Sequence, residues 1–201
     1  MPKIIENEIE FNFIEETVLK YDDSSVHKQC KSYNKKGVDF LYKFNSNLFL
    51  IEVKDYDTDL SSKNSKEKEK VLKDRDKSLE INKQNSFDML SFNIEQKFND
   101  TLLNLFSSTL INKIDLKPFL VKTKTITLIL IIDLPYALEA EAKNIERKFN
   151  EKLEKIKCLF NLNFLLLNSN SELKSFQMKR VSPTKKENIK PNINTLYIYD
   201  S

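Results

Sequence analysis

The sequence holds a single glycine, Gly37, no tryptophan, one histidine, His27, and two cysteines, Cys30 and Cys158. One glycine excludes the Gly-rich phosphate loops, since neither a Walker A loop nor a dinucleotide-binding fingerprint can be built from it. Two cysteines without CxxC spacing make no disulfide framework and no zinc motif. A lone histidine argues against a His-based zinc site and a His-driven triad. Arginine is scarce as well: Arg75, Arg147 and Arg180 are the only arginines among 33 basic residues. Bidentate readout of guanine therefore has few candidates. The most apolar run, Ile126 to Leu134, includes Thr127 and Asp133 and falls far short of the ~20 residues a membrane helix needs. Met1 to Glu6 shows no apolar stretch of the kind a secretory signal carries. These absences point to a reduced, cytoplasmic protein with no membrane span.

What remains is ordinary for a globular chain: 201 residues, 40% hydrophobic and 31% charged. That length suits one large domain, residues 1–201, with a hydrophobic core of its own. Acidic and basic residues nearly cancel to a formal charge of +3, which permits a polyanionic partner without announcing one.

Along the chain, Phe11, Ile14, Val18 and Tyr21 recur at helical spacing, which predicts a helix from Glu10 to Tyr21. Asp22-Asp23-Ser24-Ser25 reads as the turn that ends it, and Val26 to Cys30 as a short strand. Val38 to Phe44 and Leu48 to Lys54 form a predicted hairpin across Asn45-Ser46-Asn47. From 57 to 85 the chain is a highly charged insert, either a solvated helix or a loop. Phe87, Leu90, Ile94, Phe98, Leu102, Leu105 and Thr109 trace a long amphipathic helix. Thr125 to Leu134 reads as a strand buried on both faces. Leu138 to Ile156 follows as a helix, and Phe160 to Leu167 as a second buried strand in a parallel crossover. Residues 169–201 read as a polar extension with a last strand at Thr195 to Tyr199. The expected fold is a mixed α/β sheet of order α-β-β-β-α-β-α-β with the charged insert.

The hairpin carries the chemistry. On its second strand the two-residue period puts Leu48, Leu50, Glu52 and Lys54 on one face. A two-residue turn at Ser46-Asn47 would set Asp39 opposite Lys54, and one at Asn45-Ser46 would set Asp39 opposite Glu52. Both gather Asp39, Glu52 and Lys54 into one cluster, whereas an odd-length turn would send Asp39 to the other face. The cluster is expected at a solvent-accessible strand end. Two neighbouring carboxylates repel, and a hard divalent cation relieves that repulsion, Mg2+ being suited to one or two carboxylates plus waters and phosphate oxygens. A nearby lysine can orient a water or meet the charge of an attacked phosphate.

Gly37-Val38-Asp39 followed by Ile51-Glu52-Val53-Lys54, in that order of elements, resembles the PD-(D/E)xK nuclease superfamily over roughly residues 8 to 168. Val38 stands at the place of the proline in the motif's name. The resemblance implies a restriction-endonuclease-like core and Mg2+-dependent hydrolysis of phosphodiesters, with Mn2+ as a substitute ion. It makes Asp39, Glu52 and the Val53 carbonyl metal ligands, and Lys54 the water-orienting group. It adds a first-helix glutamate, which Glu15 fits best with Glu16 as the neighbouring choice. On the long helix, Gln96 and Lys97 are candidates. The implied partner is nucleic acid, double-stranded DNA before RNA, with the chain a homodimer or a subunit of a multiprotein defence or repair complex. The alternative is an inactive nuclease-fold scaffold or nucleic-acid-binding subunit.

Overall fold

The apolar stretch at Thr125–Asp133 lies inside a five-stranded sheet in the computed structural model, which describes residues 2–14, 17–31, 34–55, 86–110, 116–133, 142–157 and 161–181. In chain order the elements are β1 (Lys3–Glu6), β2 (Ile9–Phe13), β3 (Val18–Lys20), α1 (Ser25–Lys31), β4 (Phe40–Phe44) and β5 (Asn47–Asp55). They continue with α2 (Ser86–Leu110), α3 (Lys117–Leu120), β6 (Thr125–Asp133), α4 (Ala142–Lys157), β7 (Leu162–Leu167) and β8 (Phe176–Arg180). The large sheet runs β3-β4-β5-β6-β7, antiparallel from β3 to β5 and parallel from β5 to β7. A second, antiparallel sheet runs β1-β2-β8.

The large sheet is covered on both sides, which explains why β5 and β6 are almost continuously apolar. On one face Leu48, Leu50, Leu128 and Leu130 join Ile94, Phe98 and Leu105 of α2 and Ile145 and Phe149 of α4. Phe149 also stacks on Phe164 of β7. On the other face Phe40, Ile51, Val53 and Ile131 meet Ile9, Phe11, Phe13 and Phe176 of the small sheet. Each such ring or branched side chain taken out of water contributes about 1.5–3 kcal/mol. The three-layer arrangement follows from that burial.

The hairpin β4–β5 forms with Asn45-Ser46 as its turn, because Phe44 pairs with Asn47 and Phe40 with Ile51. Asn45 takes the positive φ of 55°, which asparagine tolerates better than most residues. The α2 stripe, β6, and the parallel β6–α4–β7 unit also match the pattern read from the sequence. Among the described residues no helix is long and apolar enough to cross a membrane.

Four expectations are corrected. The helix expected from Glu10 to Tyr21 is two strands, β2 and β3. Ile9, Phe11 and Phe13 are buried while Glu10 and Asn12 are half-exposed, the period-two pattern of a strand facing a core on one side. Asn7 and Glu8, with φ of 46° and 64°, make the two-residue turn before it, both left-handed as a hairpin turn of the I′ class requires. The strand expected at Val26 to Cys30 is helix α1. Ser24 does not end a helix; it caps one, its Oγ accepting from the His27 N–H at 3.1 Å. The polar extension contains β8, whose Phe176 is buried and whose length pairs with β2. The helix-first order is therefore not seen: strands precede β4, and α1 lies between β3 and β4. The insert 57–85 and the strand expected at Thr195 to Tyr199 lie outside the described residues.

Candidate functional site

Asp39 stands just before β4, held from both sides. Its N–H donates to the Ile51 carbonyl at 3.0 Å, and its carbonyl accepts from the Tyr21 N–H at 2.8 Å. Its side chain reaches past the end of β4, where Oδ2 accepts from the Val53 N–H at 2.7 Å. That amide has no β4 residue opposite it, so the carboxylate fills the missing place in the ladder.

Helix α2 sets the approach to Asp39. Asp100 accepts from the Lys36 N–H at 2.9 Å and from Lys35 Nζ at 3.1 Å. Thr101 Oγ1 accepts from the Val38 N–H at 3.1 Å. Lys36 Nζ donates to Asn93 Oδ1 at 2.8 Å. The only glycine lies within this segment because its α-hydrogen faces His27 and Tyr21 directly: a Cβ there would come 2.7 Å from His27 Nδ1.

One turn back on α2, Lys97 turns its ammonium onto the hairpin. It donates to Glu52 Oε1 at 2.7 Å and Oε2 at 2.8 Å, and stands 3.5 Å from Asp39 Oδ1. Lys54 Nζ lies 2.9 Å from Glu52 Oε1. The structure thus brings together Asp39, Glu52 and Lys54 from the hairpin and adds Lys97. Gln96 contributes no hydrogen bond to this cluster among the described residues. Glu15 and Glu16 lie outside the described residues.

The cluster is more enclosed than a strand end suggests. Glu52 is 0% exposed and Asp39 6%, because α2 lies over the face that carries them; the expected solvent-accessible position is corrected accordingly. Lys54, at 31% side-chain exposure, is the more open member. Burial, and then the charge of Glu52, push the Asp39 carboxyl up to about 7, against the opposing pull of Lys97, Lys54 and the Val53 N–H.

The donor set fits a hard cation in kind. Two carboxylates offer oxygens, and the repulsion that raises Asp39 is what a divalent ion relieves. It is a small set: among the described residues no three His, Cys, Asp or Glu side chains come together in a group that would hold a metal. The Val53 side chain is buried on the opposite face, and its carbonyl accepts from Asn7 Nδ2 at 3.1 Å, leaving the oxygen's second lone pair. Asn7, in the β1–β2 turn, carries no sequence signal for this role. Lys97 carries a partial one, lying beside buried Phe98 and three positions after buried Ile94.

A second ionic cluster lies on the other face of the same strand. Asp55 and Asp133 are paired neighbours at the ends of β5 and β6. Arg180 of β8 donates to Asp55 at 2.8 and 2.7 Å and to Asp133 at 2.8 Å. The Ser169 N–H completes Asp133 at 2.8 Å. This group fastens the small sheet to the strand that bears Glu52 and Lys54.

No protein-family model matches the chain, and no curated protein or solved structure is matched by it.

Proposed function

We propose that this protein is a Mg2+-dependent nuclease that hydrolyses phosphodiester bonds, of the PD-(D/E)xK kind, with double-stranded DNA as substrate. The observation that carries the reading is the register of the β4–β5 hairpin, which sets Asp39 against Glu52 and leaves Lys54 on the same face. The antiparallel hairpin continued by two parallel strands, with α2 over the site, supports a restriction-endonuclease-like core.

Asp39 and Glu52 are the residues to hold the ion, with the Val53 carbonyl as a third oxygen. An ion held by these residues would supply a coordinated water of lowered pKa and a counter-charge for the phosphate. Lys54, an ammonium with three donors beside Glu52, is suited to orient the attacking water and to meet charge on the phosphate oxygens. Asp39 holds the end of β5 through the Val53 N–H, keeping Glu52 and Lys54 in place. Homodimers, or assembly into a multiprotein complex, would serve an enzyme that cuts two strands with one site per chain.

A second reading is an inactive nuclease-fold scaffold. The ion pairs of Lys97 with both carboxylates favour it, since they compensate the buried charges without a metal. Isothermal titration with Mn2+ and a plasmid-nicking assay on the parent, Asp39→Ala, Glu52→Ala and Lys54→Ala separate the two. The nuclease reading expects metal binding in the parent and in Lys54→Ala, and nicking in the parent. Loss of the lysine alone should cost about 10²–10⁴-fold in rate. A folded parent that neither binds Mn2+ nor nicks DNA overturns the enzymatic reading.

A further inference from the structure

We infer that Lys97 is an internal counter-ion: its ammonium holds the cation position between Asp39 and Glu52, and a divalent ion binds only by displacing it. The inference rests on the metal-site reading above and adds to it a device that sets how tightly the metal is held.

Glu52 is fully buried. A carboxylate removed from water needs a compensating charge, because an unpaired buried charge is costly. Lys54 supplies part of that compensation through one oxygen, at 2.9 Å. Lys97 supplies the rest in a different geometry, contacting both Glu52 oxygens and standing 3.5 Å from Asp39 Oδ1. A single positive centre that faces two carboxylates at once has the placement of a bridging metal ion. The two occupants exclude one another. A Mg2+ ion sits about 2.0–2.1 Å from its oxygens, and an ammonium that faces both carboxylates at once takes the place such an ion needs, whereas Lys54 meets Glu52 through one oxygen and leaves that place open. Charge adds to the steric conflict, since like charges at such range repel strongly in a site shielded from water.

Lys97 has a way out. Its side chain is 23% exposed, and its stem has four carbons with rotatable bonds. The positively charged neighbours of the site also favour release once a doubly charged ion arrives. Asp22 lies within electrostatic range of the same ammonium, so the lysine keeps acidic surroundings as it leaves the carboxylates. Displaced, it stays tied to α2 beside the site, where a phosphate is the kind of group that would pair with it. Metal-free protein is thereby stabilised by the lysine, and metal affinity is reduced by the same contact.

The test uses Lys97→Met, Lys97→Gln and Lys97→Arg in the full chain, titrated with MnCl2 by calorimetry and melted with and without the ion. Lys97→Met and Lys97→Gln are expected to melt lower than the parent without metal and to bind Mn2+ at least about tenfold more tightly. Mn2+ should then raise their melting temperature more than the parent's, as tighter binding to the folded state requires. Lys97→Arg keeps the charge and should show no such tightening. In the parent itself, the Lys97 15Nζ resonance should move as Mg2+ is added. Mn2+ binding to the parent as tight as to Lys97→Met and Lys97→Gln overturns the inference and leaves the metal site standing, as does Mg2+ binding that leaves the Lys97 resonance unmoved. Absence of binding to every protein, Lys97→Met included, removes the metal site and the inference together.

Discussion

Arg180 grips Asp55 with both ends of its guanidinium, at 2.8 and 2.7 Å, across 125 positions of sequence. Asp55 directly follows Lys54 at the end of β5, so the small sheet is tied to the strand that bears the candidate site. Asp133 shares the same guanidinium, and all three side chains are almost fully buried.

Removing the guanidinium would take from two neighbouring buried carboxylates the cation they share. Arg180→Met is therefore expected to cost about 3–5 kcal/mol, the range for breaking a buried ion pair from one side. The triple variant Arg180→Met, Asp55→Asn, Asp133→Asn removes all three of these charges together and should recover a large part of that loss. Urea denaturation of the two proteins measures the difference. A midpoint for Arg180→Met equal to the parent's would show that the cluster contributes nothing to stability.

The raised Asp39 carboxyl has a definite sign in the stability of the metal-free protein. It titrates near 7 when folded and near 3.8 when unfolded. Between those values the folded chain binds the proton and the unfolded chain does not, so stability falls as pH rises from about 4 to about 7. Above that window the contribution of this group is constant. Asp39→Asn, which cannot ionise, should lack that component, and the stability difference between parent and variant should move against the parent across the window and then level off. Parallel denaturation series at several pH values, without divalent ions, supply the check. A difference that does not change between pH 4 and 7 would contradict the shift.

Thr101 offers a separate test of how α2 sets the approach to Asp39. Its hydroxyl accepts from the Val38 N–H in a fully buried position. Thr101→Val keeps the shape and leaves that amide without its partner, at an expected cost of about 1–3 kcal/mol. Thr101→Ser keeps the oxygen and should lose less, mainly through the absent methyl. Equal losses in the two variants, read from thermal melts, would assign Thr101 to packing instead of hydrogen bonding.

The hairpin and the site it carries were legible because strand alternation is a local property. Leu48, Leu50, Glu52 and Lys54 share a face whatever packs on them, and a two-residue turn leaves Asp39 only one face to occupy. The α2 stripe was legible for a similar reason, as was β6, whose apolar run needs cover on both sides. The small sheet was not. Phe11, Ile14, Val18 and Tyr21 satisfy a helical spacing by coincidence, and the strand that decides against it, β8, is contributed from far along the chain. Ser24-Ser25 reads equally as a turn or a helix cap, and only the His27 N–H resolves it. The contact of Lys97 with Glu52 spans 45 positions and depends on how α2 lies across the sheet, which no local pattern specifies. The burial of Asp39 and Glu52 has the same origin.

The lone glycine is fixed by the rings around it. Gly37 is buried, and its φ is not positive, so the position does not need glycine for its backbone. It needs the space. A Cβ would stand 2.7 Å from His27 Nδ1, 2.9 Å from His27 Cε1 and 3.0 Å from Tyr21 Cδ1. His27 and Tyr21 are themselves buried, with Tyr21 hydrogen-bonded through its hydroxyl to Asn104 at 3.0 Å, so neither ring moves freely. Gly37→Ala should then destabilise by about 1–3 kcal/mol, the cost of forcing an extra carbon into a packed interior. Because the displaced segment continues into Asp39, the variant should also weaken Mn2+ binding at the proposed site. The origin of the cost is separable by a double-mutant cycle with His27→Ala, which removes the nearer of the two rings. In that background Gly37→Ala should cost clearly less, with the remainder due to Tyr21. The same cost in both backgrounds would mean that the imidazole is not what keeps a side chain from position 37.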